Sequence, residues 1–226
     1  MRAIRSERGS SLPVLLIIIL LVAAVSFYYR QILTKAGEFL APSHIQSAEA
    51  VVIEGSRFID RFAMTTAKNL LDSGKVRQIV IVIHDLPTKE ALFAFPYKYD
   101  QLVQKEMSVL KIKKNQYQII TTPTQHPVTL NEARQVLTTL SKQNIHKVAL
   151  LVKGFHTRRS CLAYQHVGLP LKIKIIPVSY FTDYPLDQWW LTENGFREFV
   201  SEAFKLLYYQ IRGYIPWKLS HNDTEA

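Results

Sequence analysis

The chain has 226 residues, 48% of them hydrophobic, and a single cysteine, Cys161. This length fits one domain with an extra segment, and one cysteine excludes a disulfide within the chain. The net charge of +10 favours anionic partners such as phosphates or a membrane surface, but the basic residues are spread out without a nucleic-acid motif, which argues against nucleic acid.

The first predicted element is an apolar block, Leu12 to Tyr29, that no charged residue interrupts. As a helix it would span about 27 Å, close to the thickness of a bilayer core. The arginines before the block predict a single-pass protein with residues 1–11 in the cytoplasm and an extracytoplasmic domain. A cleaved signal peptide is the alternative, because Ala24–Ser26 fits a cleavage site. The remaining predicted divisions are a tether at 30–46, the domain at 47–219 and a polar, disordered tail at 220–226.

From Ala48 onward, short apolar runs alternate with amphipathic stretches, which predicts alternating strands and helices. The predicted strands are 50–53, 78–83, 117–121, 147–152 and 173–178. The predicted helices are 57–73, 99–111, 129–141, a helix after His156 and 195–212. This order predicts an α/β, Rossmann-like domain with a mostly parallel sheet and helices on both faces. Such sheets bind ligands at the carboxyl ends of their strands, so those loops hold the candidate site.

The loops after the first two strands carry the first candidates. Gly55 allows a ligand to approach the backbone, Ser56 is expected to cap the next helix, and Arg61 lies one turn into it. A plain capped turn with a surface arginine explains the same residues. His84 follows the second strand and is either an acid–base group or a solvated structural histidine.

Thr129 and Glu132 begin the helix after the third strand with the spacing of a capping box, in which each side chain bonds a backbone amide of the first turn. Capping alone would explain both residues, although Glu132 can also reach the predicted site.

The loop after the fourth strand is the most suggestive, because His156, Arg158 and Arg159 stand where a helix begins. Two arginines in a first turn oppose the helix dipole unless an anion lies there. We therefore predict an anion held by Arg159 and the helix amides, with His156 as proton donor or base. The alternative is that both arginines point into water. The seven histidines show no metal-ligand spacing, so no metal is predicted.

Taken together, the motifs from about Ala48 to Tyr214 resemble those of the YdcF-like group, the domain of unknown function 218 family, which includes the SanA and ElyC envelope proteins. The matching residues are Arg61, Ala67, Thr129, Glu132, Ala133, His156, Arg159, Trp189 or Trp190, and Glu202. The chain departs from the family at Glu54–Ser56 and Ile83–Asp85, where the family has glycine-rich loops.

The resemblance implies a membrane-anchored domain in cell-envelope metabolism of peptidoglycan or undecaprenyl-phosphate lipid carriers. One member of the group is associated with S-adenosylmethionine, but no general reaction or cofactor is implied. We expect a phosphate-bearing small molecule or lipid carrier as the partner. In this hypothesis Arg159 and Arg61 hold the anion, His156 is the acid or base, and Glu132 orients it. The other expected ligand-binding residues are Gly55, Ser56, His84 and Thr129.

Two alternatives remain open. The missing glycines favour a non-catalytic, anion-sensing or scaffold module at the membrane, with the aromatic end of the last helix docked on the membrane or on a partner. A cytosolic methyltransferase is disfavoured by the apolar block and by the absence of a glycine-rich nucleotide fingerprint.

Overall fold

The computed structural model describes residues 12–56, 60–85 and 99–217 and contains one five-stranded parallel sheet. The strands are β1 (Ala50–Ser56), β2 (Gln78–Asp85), β3 (Tyr117–Pro123), β4 (Lys147–Lys153) and β5 (Lys174–Tyr180). Their order across the sheet is β3-β2-β1-β4-β5. The connection that leaves β1 therefore crosses to one side and the connection that leaves β4 crosses to the other, which creates a crevice between their carboxyl ends.

Within the described residues, six helices accompany the sheet: α1 (Leu12–Leu40), α2 (Arg61–Asp72), α3 (Tyr99–Val109), α4 (Val128–Lys142), α5 (Thr157–Gly168) and α6 (Glu193–Ile211). Short 3-10 helices lie at 114–116, 154–156 and 186–191. The predicted α/β class and parallel sheet are confirmed, and all five predicted strands are present with slightly longer bounds.

The start of α2 differs from the prediction. Asp60 caps this helix, and its carboxylate accepts hydrogen bonds from the amides of Phe62 at 2.9 Å and Ala63 at 3.3 Å. The prediction that Ser56 caps the helix is wrong, because Ser56 is the last residue of β1. Residues 57–59, the first three of the predicted helix, lie outside the described residues.

Alternating strand residues pack on opposite faces of the sheet, as the period of two in a strand requires. On one face, Val52 and Val80 pack against the buried sides of α4 and α5. On the other face, Val51 and Ile79 pack against α2 and α3. Helices therefore cover both faces of the sheet, as predicted.

The N-terminal helix continues beyond the predicted apolar block. It runs to Leu40, so most of the predicted tether at 30–46 is helical, and Leu40 and Ala41 are each only 2% exposed. Pro42 follows and prevents the helix from continuing. The predicted cytoplasmic residues 1–11 and the predicted tail at 220–226 lie outside the described residues.

By length and composition, Pro13–Leu40 can span a membrane: its most apolar 18-residue window has a mean hydropathy of 2.1, and none of that window is buried in the structure. A signal sequence meets the same criterion. The side of the membrane on which the domain lies stays a prediction.

Candidate functional site

Buried polar side chains gather at the carboxyl ends of β1, β2 and β4, next to the crevice between β1 and β4. Glu54 and Gly55 are near the end of β1, and His84 is near the end of β2. His156 follows β4 in a 3-10 helix and directly precedes α5. Because the ends of parallel strands meet at one edge, residues distant in sequence form a single cluster here.

His156 is held by two carboxylates. Its Nε2 atom is 2.9 Å from Glu54 Oε1, and its Nδ1 atom is 3.2 Å from Glu202 Oε2. Ser160, one turn later on α5, lies 2.9 Å from the same Nε2 atom and donates its hydroxyl to Glu54. The imidazole is still 26% exposed, whereas Ser160 is fully buried. His156 is thus the most exposed member of this group.

The charges around His156 favour its protonated form. Burial lowers the pKa of His156, but the negative charge of Glu54 raises it, and the positive charge of Arg159 lowers it again. Hydrogen bonds to Glu202 and Glu54 raise it further, and the result is a pKa of about 9. The raised pKa favours the protonated, proton-donating form of His156 at neutral pH, although Arg159 Nη2, itself a donor, lies 2.8 Å from Nδ1 and opposes a proton on that atom.

All three nitrogens of Arg159 have protein partners. Its Nε atom donates to Glu202 Oε2 at 3.0 Å, and its Nη1 atom donates to Thr129 Oγ1 at 3.1 Å. Its Nη2 atom lies 2.9 Å from Glu202 Oε2 and 2.8 Å from His156 Nδ1. The guanidinium also lies 4.7 Å from the centre of the Tyr209 ring. Arg159 is only 7% exposed, so the alternative that it points into water is wrong. Its predicted role as an anion ligand stays a prediction; in this structure it holds Glu202.

Glu202 completes this half of the cluster. Burial raises its pKa, but the hydrogen bond and charge of His156, together with Arg159 and Lys205, hold it well below the usual range. Lys205 Nζ is 2.9 Å from Glu202 Oε1. Glu202 is therefore ionised and can stabilise the imidazolium of His156.

Glu132 forms the other half of the cluster and is only 2% exposed. It accepts hydrogen bonds from the Tyr164 hydroxyl at 2.7 Å and from the Gly55 amide at 3.3 Å, and it lies 2.5 Å from His84 Nε2. The hydrogen bond to Glu132 raises the pKa of His84, although burial opposes it. The prediction that Glu132 orients His156 is wrong, because Glu132 holds His84.

The predicted capping box at the start of α4 is also absent. The N-cap residue is Pro127, which offers no side-chain hydrogen bond to the helix. Thr129 and Glu132 instead turn toward Arg159 and His84. Both residues are buried, so their polar groups satisfy partners inside the protein and not the free amides of the first helical turn.

Gly55 is required by this packing. A Cβ atom on residue 55 would lie 2.5 Å from Glu132 Oε2 and 2.6 Å from His84 Nε2, closer than nonbonded atoms approach. The glycine thus lets the backbone of β1 touch the His84–Glu132 pair. This differs from the predicted use of the residue, which was an approach to a ligand.

Two predicted ligand residues lie outside the network described so far. Arg61 is exposed, and its Nε atom is 2.6 Å from Glu106 Oε1 on α3. Ser56 occupies the end of β1, but its side chain is outside the described residues. Besides the exposed side of His156, a small cleft also reaches Glu54. Asp60 and Tyr180 help to line this cleft, whose volume of about 30 Å³ has room for about one water molecule.

Sequence reasoning did not assign Glu54, Ser160, Tyr164 or Glu202 to the site. Ser160 had a detectable signal, since it lies four residues after His156 and so shares its side of a helix. Glu202 was marked only by the family resemblance. Glu54 and Tyr164 gave no local signal, because their partners are distant in sequence.

The cluster suits proton transfer, because its acidic side chains are paired with basic ones. The acidic side chains are Glu54, Glu132 and Glu202, and each contacts a basic partner among His84, His156 and Arg159. Within 12–56, 60–85 and 99–217, no group of three or more His, Cys, Asp or Glu side chains is arranged to hold a metal ion.

No known family model matches the chain, and a search of the curated proteins finds no match. The interpretation of the site therefore depends on its geometry and on the sequence motifs.

Proposed function

We propose that the domain binds a phosphate-bearing ligand at the carboxyl ends of β1 and β4, and that His156 is the group that meets it. The supporting observation is that His156 is partly exposed while its pKa is raised to about 9. Both ring nitrogens of His156 have protein partners, so a phosphate oxygen receives the Nε2 hydrogen bond of the imidazolium by displacing Glu54 and Ser160 from that atom. The same proton can pass to a leaving oxygen during hydrolysis or transfer at the phosphate.

The other residues support this role indirectly. Glu54 and Glu202 orient the imidazole of His156 and stabilise its charge, and Arg159 holds Glu202 in place. His84, whose pKa is raised by its hydrogen bond to Glu132, lies nearby and is oriented by that carboxylate. In this proposal the acid is His156, and the residues that position it are the buried carboxylates.

The biological setting of the proposal comes from the resemblance to the YdcF-like group. In that setting, the protein is anchored in the membrane, and its extracytoplasmic domain acts on a phosphate-bearing precursor or lipid carrier of the cell envelope. The length and apolar composition of α1 agree with an anchor.

The alternative is a non-catalytic scaffold or anion-sensing module at the membrane. Two observations favour it. The donors of Arg159 are directed at protein groups, namely Glu202, Thr129 and His156. A stripe of α6 also carries exposed apolar side chains, with Phe204 69% and Ile211 67% exposed, which is typical of a docking surface.

Binding and turnover distinguish the two. The full chain in detergent is titrated with pyrophosphate, nucleotides, S-adenosylmethionine and prenyl-phosphate analogues, and phosphate release is followed separately. The matched variants are His156→Ala and His166→Ala, the second on the exposed side of α5. We expect a ligand whose binding weakens at least tenfold only in His156→Ala, and turnover that this variant loses. Binding without turnover supports the scaffold, and equal behaviour of both variants refutes the site.

A further inference from the structure

The last two turns of α1 are packed tightly onto the domain. Trp189 donates its indole N–H to the carbonyl of Leu33 at 3.0 Å. Gly37 lies against the same indole: a Cβ atom there would be 3.0 Å from Trp189 Nε1 and 3.0 Å from Leu186 Cδ1. A glycine inside a helix is unfavourable by about 0.5–1 kcal/mol relative to alanine. Close contact between α1 and the 3-10 helix at 186–191 explains its presence.

Arg158 fixes the end of α1. Its Nε atom donates to the carbonyl of Phe39 at 2.6 Å, and its guanidinium lies 4.4 Å from the centre of the Phe39 ring. A cation at the C-terminus of a helix satisfies a free carbonyl and interacts favourably with the helix dipole. Together with the burial of Leu40, these contacts form a packed joint between residues 33–40 of α1 and the domain, instead of a flexible tether.

The position of this joint shows from which end of the sheet α1 departs. Arg158 is in the first turn of α5, directly after the carboxyl end of β4. The following chain then runs along β5: Ala41 accepts from the Ser179 hydroxyl at 3.3 Å, and His44 donates to Pro177 at 2.8 Å. By Glu49 the chain has reached the amino end of β4, because the Glu49 amide donates to the carbonyl of Lys147, the first residue of that strand, at 2.8 Å. It therefore descends from the carboxyl end, where α1 stands.

The cluster around His156 occupies this same end of the sheet. From Tyr29, the end of the predicted apolar block, to Phe39 is about 15 Å along a helix. Near the joint, Leu191 and Phe196 are 68% and 58% exposed, as suits apolar side chains close to a bilayer interface.

We propose that α1 is a rigid helix that fixes the orientation of the domain. It holds the face formed by the carboxyl ends of the strands, and with it His156, toward the bilayer. The partner of this face is the headgroup region of the membrane. This inference rests on the membrane anchoring included in the proposed function, but it requires no ligand and no activity.

The test measures the height of each end of the domain above the membrane. The full chain is placed in lipid nanodiscs whose headgroups carry an energy-transfer acceptor. A donor dye is attached to Gln188→Cys, on the 3-10 helix beside α1, or to Lys142→Cys, at the far end of α4; both positions are exposed. The native Cys161 is buried, and the wild-type chain reports any labelling of it.

We expect greater energy transfer at residue 188 than at residue 142, because the strands alone separate the two ends by about 23 Å. A four-residue glycine–serine insertion between Arg30 and Gln31, or Gly37→Leu at the joint, should release the domain from its fixed orientation. The energy-transfer efficiencies at residues 188 and 142 should then become more nearly equal. Equal or reversed transfer in the uninserted chain overturns the proposal, as does an insertion without effect. Absence of transfer at both positions overturns the anchoring itself. A failure to bind phosphate compounds leaves these readings unchanged, so the two proposals fail separately.

Discussion

The charge state of His156 gives the most direct prediction. Because its pKa of about 9 in the folded protein lies above the ordinary value of 6.5, the folded state holds this proton more tightly than the unfolded chain does. The resulting stabilisation is complete below pH 6.5 and is lost as the pH rises through 9. The gap corresponds to about 3 kcal/mol, at ~1.36 kcal/mol per pKa unit.

The perturbation is a pH series from 6 to 9.5 on the wild type and on His156→Gln. Equilibrium unfolding in mild detergent, followed by tryptophan fluorescence, gives the free energy of unfolding at each pH. We expect the wild type to lose about 3 kcal/mol more than the variant across this range. Subtracting the variant removes most of the contribution of His84, whose pKa is also raised and which acts in the same direction; the remainder arises because the charge of His156 lowers the pKa of His84.

Parallel pH curves for the two proteins would refute this reasoning. Proton NMR provides an independent check, since the His156 ring resonance should titrate near pH 9. Glu54→Gln should move that midpoint to lower pH, because the charge of Glu54 is the main contribution that raises it. A midpoint near 6.5 in the wild type would show that the carboxylates do not act on the ring.

Three further substitutions examine the packing of the site and of α1. Gly55→Ala should lower the free energy of unfolding by about 1–3 kcal/mol through overpacking, and adding His84→Ala should recover part of the loss; a neutral Gly55→Ala contradicts the close contact. Glu132→Gln should lower the pKa of His84, which NMR measures; an unchanged midpoint speaks against their hydrogen bond. Arg158→Ala should lower the free energy of unfolding by about 1–3 kcal/mol, whereas the exposed control Arg134→Ala should change it by less than about 0.5 kcal/mol; equal effects contradict the joint.

The fold was largely predictable because its signals are local. Apolar runs such as 147–152 identify buried strands, and their alternation with amphipathic stretches leaves few arrangements other than a parallel sheet. The predictions of local structure were wrong where the side chains of a local motif bind distant residues in the folded protein. Thr129 and Glu132 have capping-box spacing, but the interior of the protein supplies Arg159 and His84 as stronger, charged partners.

The site was only partly predictable. The strand-end rule correctly directed attention to His84 and His156, which both lie in the cluster. It could not pair them with their carboxylates, because Glu202 is 46 residues from His156 and Glu132 is 48 residues from His84. Contacts over such separations depend on the packing of whole elements, which periodicity does not encode.

The consecutive arginines of α5 have a consequence for how this segment can change. Arg158 holds the end of α1 and Arg159 holds Glu202, so one helical turn serves two partners that lie in different directions. Neighbouring residues on a helix point about 100° apart. A substitution at either position removes one partner, whereas a single inserted residue ahead of them rotates both side chains away together. The first turn of α5 should therefore tolerate exchanges of residues far better than changes in its length.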